Sequence, residues 1–320
     1  MNQSKRSIGR LLAMSMLAMT VVLAGCQKKG KGKPTVALVM TSPTSAFFKT
    51  MEEGAKAHHA EHAAEYELKV VGIESETDVA QQIDRVERMI AHDVNAIVIA
   101  PADSKALVAV CTEAMNAGIT VVNIDNKLDA DVLADKGIRI PFVGPDNREG
   151  AKLAGVYLAS RLNPGDKVAV VEGAPNAYND LQRKRGFEEA VLANNLNIVA
   201  SQTGYEEADK AQFIASALIE AHADLKAILC ANDGMALGAV SALETAGKSG
   251  DIYVVGFGNI PAVRRLLKEG KVLCTVDQHA DQLAAYGIQY ALDVLAGRIP
   301  AADKDEGKQI PVDLITAETL

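Results

Sequence analysis

TVALVM, residues 35–40, is an unbroken apolar run of strand length, and runs like it recur along the whole chain. In the first half they are LKVVGI (68–73), AIVIA (96–100) and TVVNI (120–124). In the second they are KVAVVEG (167–173), LNIVASQ (196–202), AILCA (227–231), IYVVGF (252–257) and VLCTV (272–276). A strand wetted on one face alternates apolar and polar residues, whereas a continuous Val/Ile/Leu run needs cover on both faces. Helix-length amphipathic segments separate the runs, the pattern of βαβ units and parallel sheets. Between the two sets lies RIPFVGPDNREG (139–150), with two prolines and two glycines, where the chain is expected to cross from one α/β lobe to another of similar build.

With 320 residues, 48% hydrophobic and 23% charged, the chain can bury one large core or two medium ones. Its formal net charge is −8, and no basic cluster lies beyond the first 33 residues. That argues against nucleic acid, which needs a concentrated Lys/Arg footprint. Lys5, Arg6 and Arg10 precede the apolar run LLAMSMLAMTVVLAG (11–25), which ends at Cys26. A basic start and an apolar stretch of this length make a secretory signal, here residues 1–25. LAGC (23–26) resembles a bacterial lipoprotein signal whose cysteine is acylated; the alternative is an ordinary cleaved signal followed by a chance cysteine. Residues 26–33, rich in lysine and glycine, suit a solvated tether beside anionic headgroups.

Cys111, Cys230 and Cys274 sit in apolar segments without close spacing and read as small buried hydrophobes rather than a disulfide framework. His58, His59 and His62 fall within one helical turn, but EEGAKAHHAEHAAE (52–65) reads as the outer face of a helix, and no metal site or cofactor is expected.

Open parallel sheets bind ligands beyond the carboxyl ends of their strands. Those ends carry Asp125-Asn126, Asn232-Asp233, Gly258-Asn259 and Asp277-Gln278, among others. Carboxylates and amides predominate, with no Ser/His/Asp or Cys/His set for nucleophilic chemistry. Groups of this kind match sugar hydroxyls, each of which donates one hydrogen bond and accepts up to two. Polar strand ends also form turns, so no single one marks a site; their number does.

SAFFKTMEEGAK (45–56), IVIAPADSKAL (97–107), AGITVVNID (117–125), GPDNREGAKLAG (144–155), ANDGMALGAVSALETAGKSGDIYVVGF (231–257) and TVDQHADQLAAYGIQYALDVLAG (275–297) together resemble the ribose-type periplasmic sugar-binding proteins of ABC importers. That fold is shared with the ligand-binding domains of LacI-type repressors. The resemblance covers nearly all of the chain after Pro34. It implies an α/β fold of two doubly wound parallel-sheet lobes joined by a three-crossing hinge, the periplasmic binding protein type I fold. The lobes would comprise residues 34–145 with 279–309, and 146–278 with 310–320. In this likeness Phe47 and Phe48 match a ring pair that packs on the sugar, Asp125 an acid that takes two hydroxyls, and Arg183 an arginine that forks onto adjacent oxygens. Asn232 and Gln278 match ligand amides, while Asp233 is expected to cap the helix that follows.

The chain departs from the ribose pattern at Ser45, Ala100, Asn126 and Gly258. Ser45 and Asn126 are nevertheless counted as ligand contacts. In VVGFGN (254–259), Gly258 stands where the family places an aspartate, so either Asn259 turns in as its replacement or the ligand lacks a hydroxyl there. Tyr205 and Glu206 compete for the place of a further ring. These readings imply a binder of a small sugar or polyol, not an enzyme, that delivers its ligand to the transmembrane subunits of an ABC permease. It is expected to be a monomer at the cell envelope, held to the membrane through lipid on Cys26. A sensory input to a chemoreceptor or sensor kinase would use the same chemistry. A cleft enzyme would use Asp125 with Asp277, and a repressor would need a helix-turn-helix headpiece where the secretory run stands.

Overall fold

The computed structural model describes residues 32–300, 303 and 306–320. The expected signal (1–25), Cys26 and all but the last two tether residues lie outside the described residues. The chain begins with β1 (Thr35–Val39), α1 (Ala46–Glu61), β2 (Glu67–Val71), α2 (Val79–Ala91), β3 (Ala96–Ile99), α3 (Leu107–Asn116), β4 (Thr120–Ile124), α4 (Ala130–Asp135) and β5 (Phe142–Pro145). It continues through α5 (Asn147–Ala159), β6 (Lys167–Glu172), α6 (Tyr178–Ala193), β7 (Asn197–Thr203), α7 (Ala208–Ala221), β8 (Leu225–Cys230), α8 (Asp233–Thr245), β9 (Tyr253–Val255), α9 (Pro261–Lys268) and β10 (Thr275–Asp277). Last come α10 (Ala280–Leu295), β11 (Lys308–Ile310) and β12 (Asp313–Ile315).

Strands of the first lobe form one parallel sheet in the order β11-β5-β4-β3-β1-β2, and those of the second form another in the order β7-β6-β8-β9. β10 pairs antiparallel with β12 and continues the second sheet through a Val255–Cys274 bridge. The chain therefore passes between the lobes after Pro145, after β10, and again between Ile310, which still pairs with Pro145, and β12.

The apolar runs are continuous because each sheet has a core on both faces. Along β1, Val36 and Leu38 point into a cluster with α1 and α10, whereas Ala37 and Val39 point into one with α2 and α3. Along β6, Val168 and Val170 join α5 and α6, while Ala169 and Val171 join α7 and α8. Period-two alternation is present, but both directions are buried.

Helix starts follow simple chemistry. Asp78, Asp146 and Asn232 precede α2, α5 and α8, and each accepts a backbone N–H three residues on. The return helix α10 lies tight against α1, where a methyl on Gly54 would run into the carbonyl of Asp281. Gly54→Ala is therefore expected to destabilise the protein by about 1–3 kcal/mol. Chemical denaturation measures this, and an unchanged midpoint would contradict the close approach.

Candidate functional site

The carboxyl ends of both sheets face one another across a cavity of about 480 Å³. The first lobe supplies Ser45, Phe47 and Phe48 from the start of α1, with Asp125 and Asn126 after β4. The second supplies Arg183 from α6, Asn232 before α8 and Gln278 after β10. Eight of the nine ligand contacts expected from sequence thus line one cavity. The exception is Asn259.

Asp125 carries the sharpest feature. It is 3% exposed, it holds a left-handed backbone (φ 59°), and its Oδ1 has no hydrogen-bond partner in the protein. Thr41, also in the cavity wall, has a buried hydroxyl in the same condition. A strained acidic residue with an unsatisfied acceptor at a cavity wall is poised for a donor from outside. The rings of Phe47 and Phe48 stand edge to face, 5.3 Å apart, and offer an apolar surface nearby.

Arg183 is 3% exposed and its donors are already directed. Nε donates to Asn147 Oδ1 at 2.8 Å, Nη1 to the Ala231 carbonyl at 3.0 Å, and Nη2 to Gln278 Oε1 at 3.0 Å. Its guanidinium stacks on Phe257 at 4.2 Å, and Asp180 lies 3.5 Å from Nη1. The fork is fixed before any ligand arrives.

Asn126 reaches the wall, but both ends of its amide are committed. Nδ2 donates to the Pro101 carbonyl at 2.7 Å, and Oδ1 accepts from Ser104 Oγ at 3.3 Å and from the Asn179 N–H of the opposite lobe at 3.2 Å. It closes the lip of the cleft.

The geometry around VVGFGN corrects two expectations. Asn259 Nδ2 donates to Asp277 Oδ2 at 2.7 Å, and its Oδ1 accepts from Arg264 Nε at 3.0 Å. The amide ties the ends of β9 and β10 together and does not enter the cavity. Asp233 does not cap α8; Asn232 does, because its extended backbone brings Oδ1 within 2.7 Å of the Met235 N–H. The Asp233 carboxyl instead accepts from Thr275 Oγ1 at 2.7 Å and the Ile260 N–H at 2.8 Å, and it borders the cavity. Gly256 makes room for it, since a side chain there would strike Asp233 Oδ1. Asp277 binds Asn259 and the His279 N–H outside the cavity wall, so Asp125 and Asp277 are not assembled as a carboxylate pair.

Sequence reasoning left out Glu76, Asn179 and Asp233, and it left Tyr205 and Glu206 undecided. Glu206 lines the cavity, whereas Tyr205 is 40% exposed under the Lys210 ammonium. The position of Glu76 after β2 was a usable signal; the direction of Glu206 was not.

The cleft is strongly acidic. Burial pushes Asp125 up to about 6, with Arg183 opposing and Asp180 adding to the rise. Burial likewise lifts Asp233 to about 6 against its hydrogen bonds. Glu76, Asp180 and Glu206 are also raised, chiefly by burial. Among the described residues, the thiols of Cys111, Cys230 and Cys274 are buried and pushed up, far from thiolate reactivity. His58 and His62 stack 4.3 Å apart on α1, and no group of three or more His, Cys, Asp or Glu among the described residues is arranged to hold a metal ion.

Residues 36–299 match the periplasmic binding protein domain family. A D-ribose/D-allose-binding protein of Pseudomonas aeruginosa is 53% identical over 285 residues, covering 89% of each chain. A ribose import binding protein of Escherichia coli is 31% identical across 94% of this chain and 96% of its own. A solved solute-binding protein of Actinobacillus succinogenes with bound D-allose superposes with a TM-score of 0.84 at 32% identity, covering 90% of this chain and 99% of that one.

The Asp125 carboxyl binds a proton more readily in the folded chain than in the unfolded one. Its charge therefore opposes folding fully above about pH 6, and progressively less as pH falls towards 3.8. Asp125→Asn, which keeps the left-handed backbone without the charge, is expected to raise the thermal midpoint at pH 8. The gain should shrink as pH drops through 6, and calorimetry in buffers from pH 4 to 8 reads it. An equal gain at every pH would mean that the charge is not the cause.

Proposed function

The chain belongs to the periplasmic binding protein family, and from that premise we propose that it captures a small sugar or polyol between its lobes and passes it unaltered to an ABC permease. The unpartnered, buried Oδ1 of Asp125 at the cavity wall carries this reading. A hydroxyl donated there completes the acceptor, and the Phe47–Phe48 pair supports the ring. Asn232, Gln278 and the preset Arg183 offer further polar groups from the opposite lobe. Ser45 adds a hydroxyl on the near side.

Capture follows from the hinge. Lobes of residues 34–145 with 279–309, and 146–278 with 310–320, open and close about three crossings. Only the closed arrangement brings Asp125 and Arg183 to the same ligand. A ligand therefore favours closure by the difference between its two sets of contacts. The closed outer surface then docks on the transmembrane subunits. The family is periplasmic; the finer placement we propose is a monomer anchored through lipid on Cys26 after removal of residues 1–25.

The departures from the ribose pattern leave the ligand class wider than one pentose. Gly258 offers no carboxylate, and the place of a further ring holds Glu206. The relatives named for ribose and allose set the first candidates.

A thermal-shift panel of pentoses, hexoses and polyols, beginning with D-ribose and D-allose, tests the reading. At least one sugar should raise the midpoint and be recovered unchanged. A ligand at a hundred times its Kd stabilises by about 2.7 kcal/mol. No response to any member, or conversion of a sugar, would contradict it. For the sugar that binds, Asp125→Ala is expected to weaken binding by about tenfold or more, the loss of a charged hydrogen bond. Calorimetric titration reads this, and unchanged affinity would remove Asp125 from the site.

A further inference from the structure

Glu76 and Glu206 come from opposite lobes and meet inside the cleft. Glu76 lies in the loop between β2 and α2, Glu206 in the loop between β7 and α7, and both line the cavity. Their carboxyl groups lie close enough to interact directly across the gap. Ser45 lies beside Glu76, and Asp180 beside Glu206.

The chain bends sharply to make this contact. Tyr205 and Glu206 both hold left-handed backbones, with φ of 51° and 65°. Two successive non-glycine residues in that region are unfavourable. Thr203 Oγ1 accepts the Tyr205 N–H at 3.3 Å, and the Gly204 carbonyl accepts the Glu207 N–H at 3.0 Å. The turn sends Tyr205 outwards and Glu206 inwards.

A carboxylate has only acceptors, so two ionised carboxylates cannot hydrogen-bond to each other; one must carry a proton. No nearby cation removes that requirement. Arg183 is the one Lys or Arg among the described residues that line the cavity, and its donors run to Asn147, Ala231 and Gln278. The other charged groups facing the pair are acids: Asp125 from the end of β4, Asp180 from α6 and Asp233 from the start of α8. Arg183 opposes protonation of Glu206, but burial and the surrounding acids favour it.

We propose that Glu76 and Glu206 share one proton in a carboxyl–carboxyl bridge that joins the lobes only when the cleft is shut, so that closure on a ligand takes up a proton from solution. This rests on the reading of the cleft as a site that closes, and it adds two positioning residues to it. In the open form the carboxyls part and each meets water, where a glutamate titrates near 4.5. The closed form binds the proton more tightly, so closure is favoured as pH falls and loses that contribution as pH rises. Where the open form has released the proton and the closed form keeps it, the closed-to-open ratio changes by up to about tenfold per pH unit.

The test has a ligand-free arm and a ligand arm. Dyes on E87C and D209C, exposed positions on different lobes, report closure by single-molecule energy transfer. Without ligand, the closed fraction should rise between pH 8 and pH 5. In Glu206→Gln the amide donates to the Glu76 carboxylate without a proton from solution, so the fraction should vary less with pH. A wild-type fraction independent of pH overturns the proposal. Glu76→Gln is the second variant, with the same expectation should Glu206→Gln fail to fold.

In the ligand arm, D-allose and D-ribose are titrated calorimetrically at pH 7 in two buffers of different ionisation heat. Uptake approaching one proton per sugar bound is expected for the wild type, and clearly less for Glu206→Gln. Equal uptake in both proteins, or none in the wild type, overturns the bridge. Failure of both sugars to bind at any pH would count against the proposed ligands, while the energy-transfer arm still decides the bridge.

Discussion

One buried guanidinium organises the cleft. Arg183 leaves α6 and, through three hydrogen bonds, joins the start of α5, the end of β8 and the residue after β10. The first and last of these contacts lie at crossings between the lobes. Among the described residues that line the cavity this is the one Lys or Arg, set among Glu76, Asp125, Asp180, Glu206 and Asp233. A single positive charge cannot neutralise five acids, and burial lifts all five towards protonation. Removing Arg183 would leave those acids uncompensated and the hinge ends untied, a far larger loss than one surface ion pair represents. The cleft is therefore kept polar and acidic at the expense of stability, as binding sites commonly are.

Closure has its own hydrogen bonds beside those a ligand would make. At the lip, Asn176 Nδ2 donates to Asp103 Oδ2 at 2.7 Å, and the Tyr178 N–H donates to Ser104 Oγ at 2.9 Å. With the Asn126–Asn179 contact these form a latch between loops of the two lobes. A ligand need supply only the remaining difference between open and shut, so modest differential contacts can shift the population far. Within this latch the neutral amide of Asn126 serves both lobes at once, which an arginine, having no acceptor, could not do.

The sequence carried the layered fold well, because burial on both sheet faces leaves strand-length apolar runs that recur between helix-length segments. The short strands were harder. Phe142–Pro145 sits inside a stretch rich in proline and glycine and read only as a crossing, yet it pairs with both β4 and β11. Around the site, residue type and position were legible where a strand ends in a fixed direction, as at Asp125. They were not legible where a local turn decides. Asn259 and Glu206 both hold left-handed backbones, which turn one side chain away from the cleft and the other into it. Periodicity encodes neither. Asp233 and Asn232 exchanged roles for a similar reason: space beside Gly256, visible only in three dimensions, drew the acid away from the helix end.

The central claim is that two lobes share a polar crevice whose unsatisfied acceptor on Asp125 receives a hydroxyl from the guest. A crystal structure of the protein grown with the sugar that most raises its melting temperature tests this most directly. The account expects the sugar between the lobes, with one of its oxygens within 2.5–3.0 Å of Asp125 Oδ1. A sugar bound elsewhere, with Asp125 Oδ1 satisfied by the protein's own groups, would contradict it.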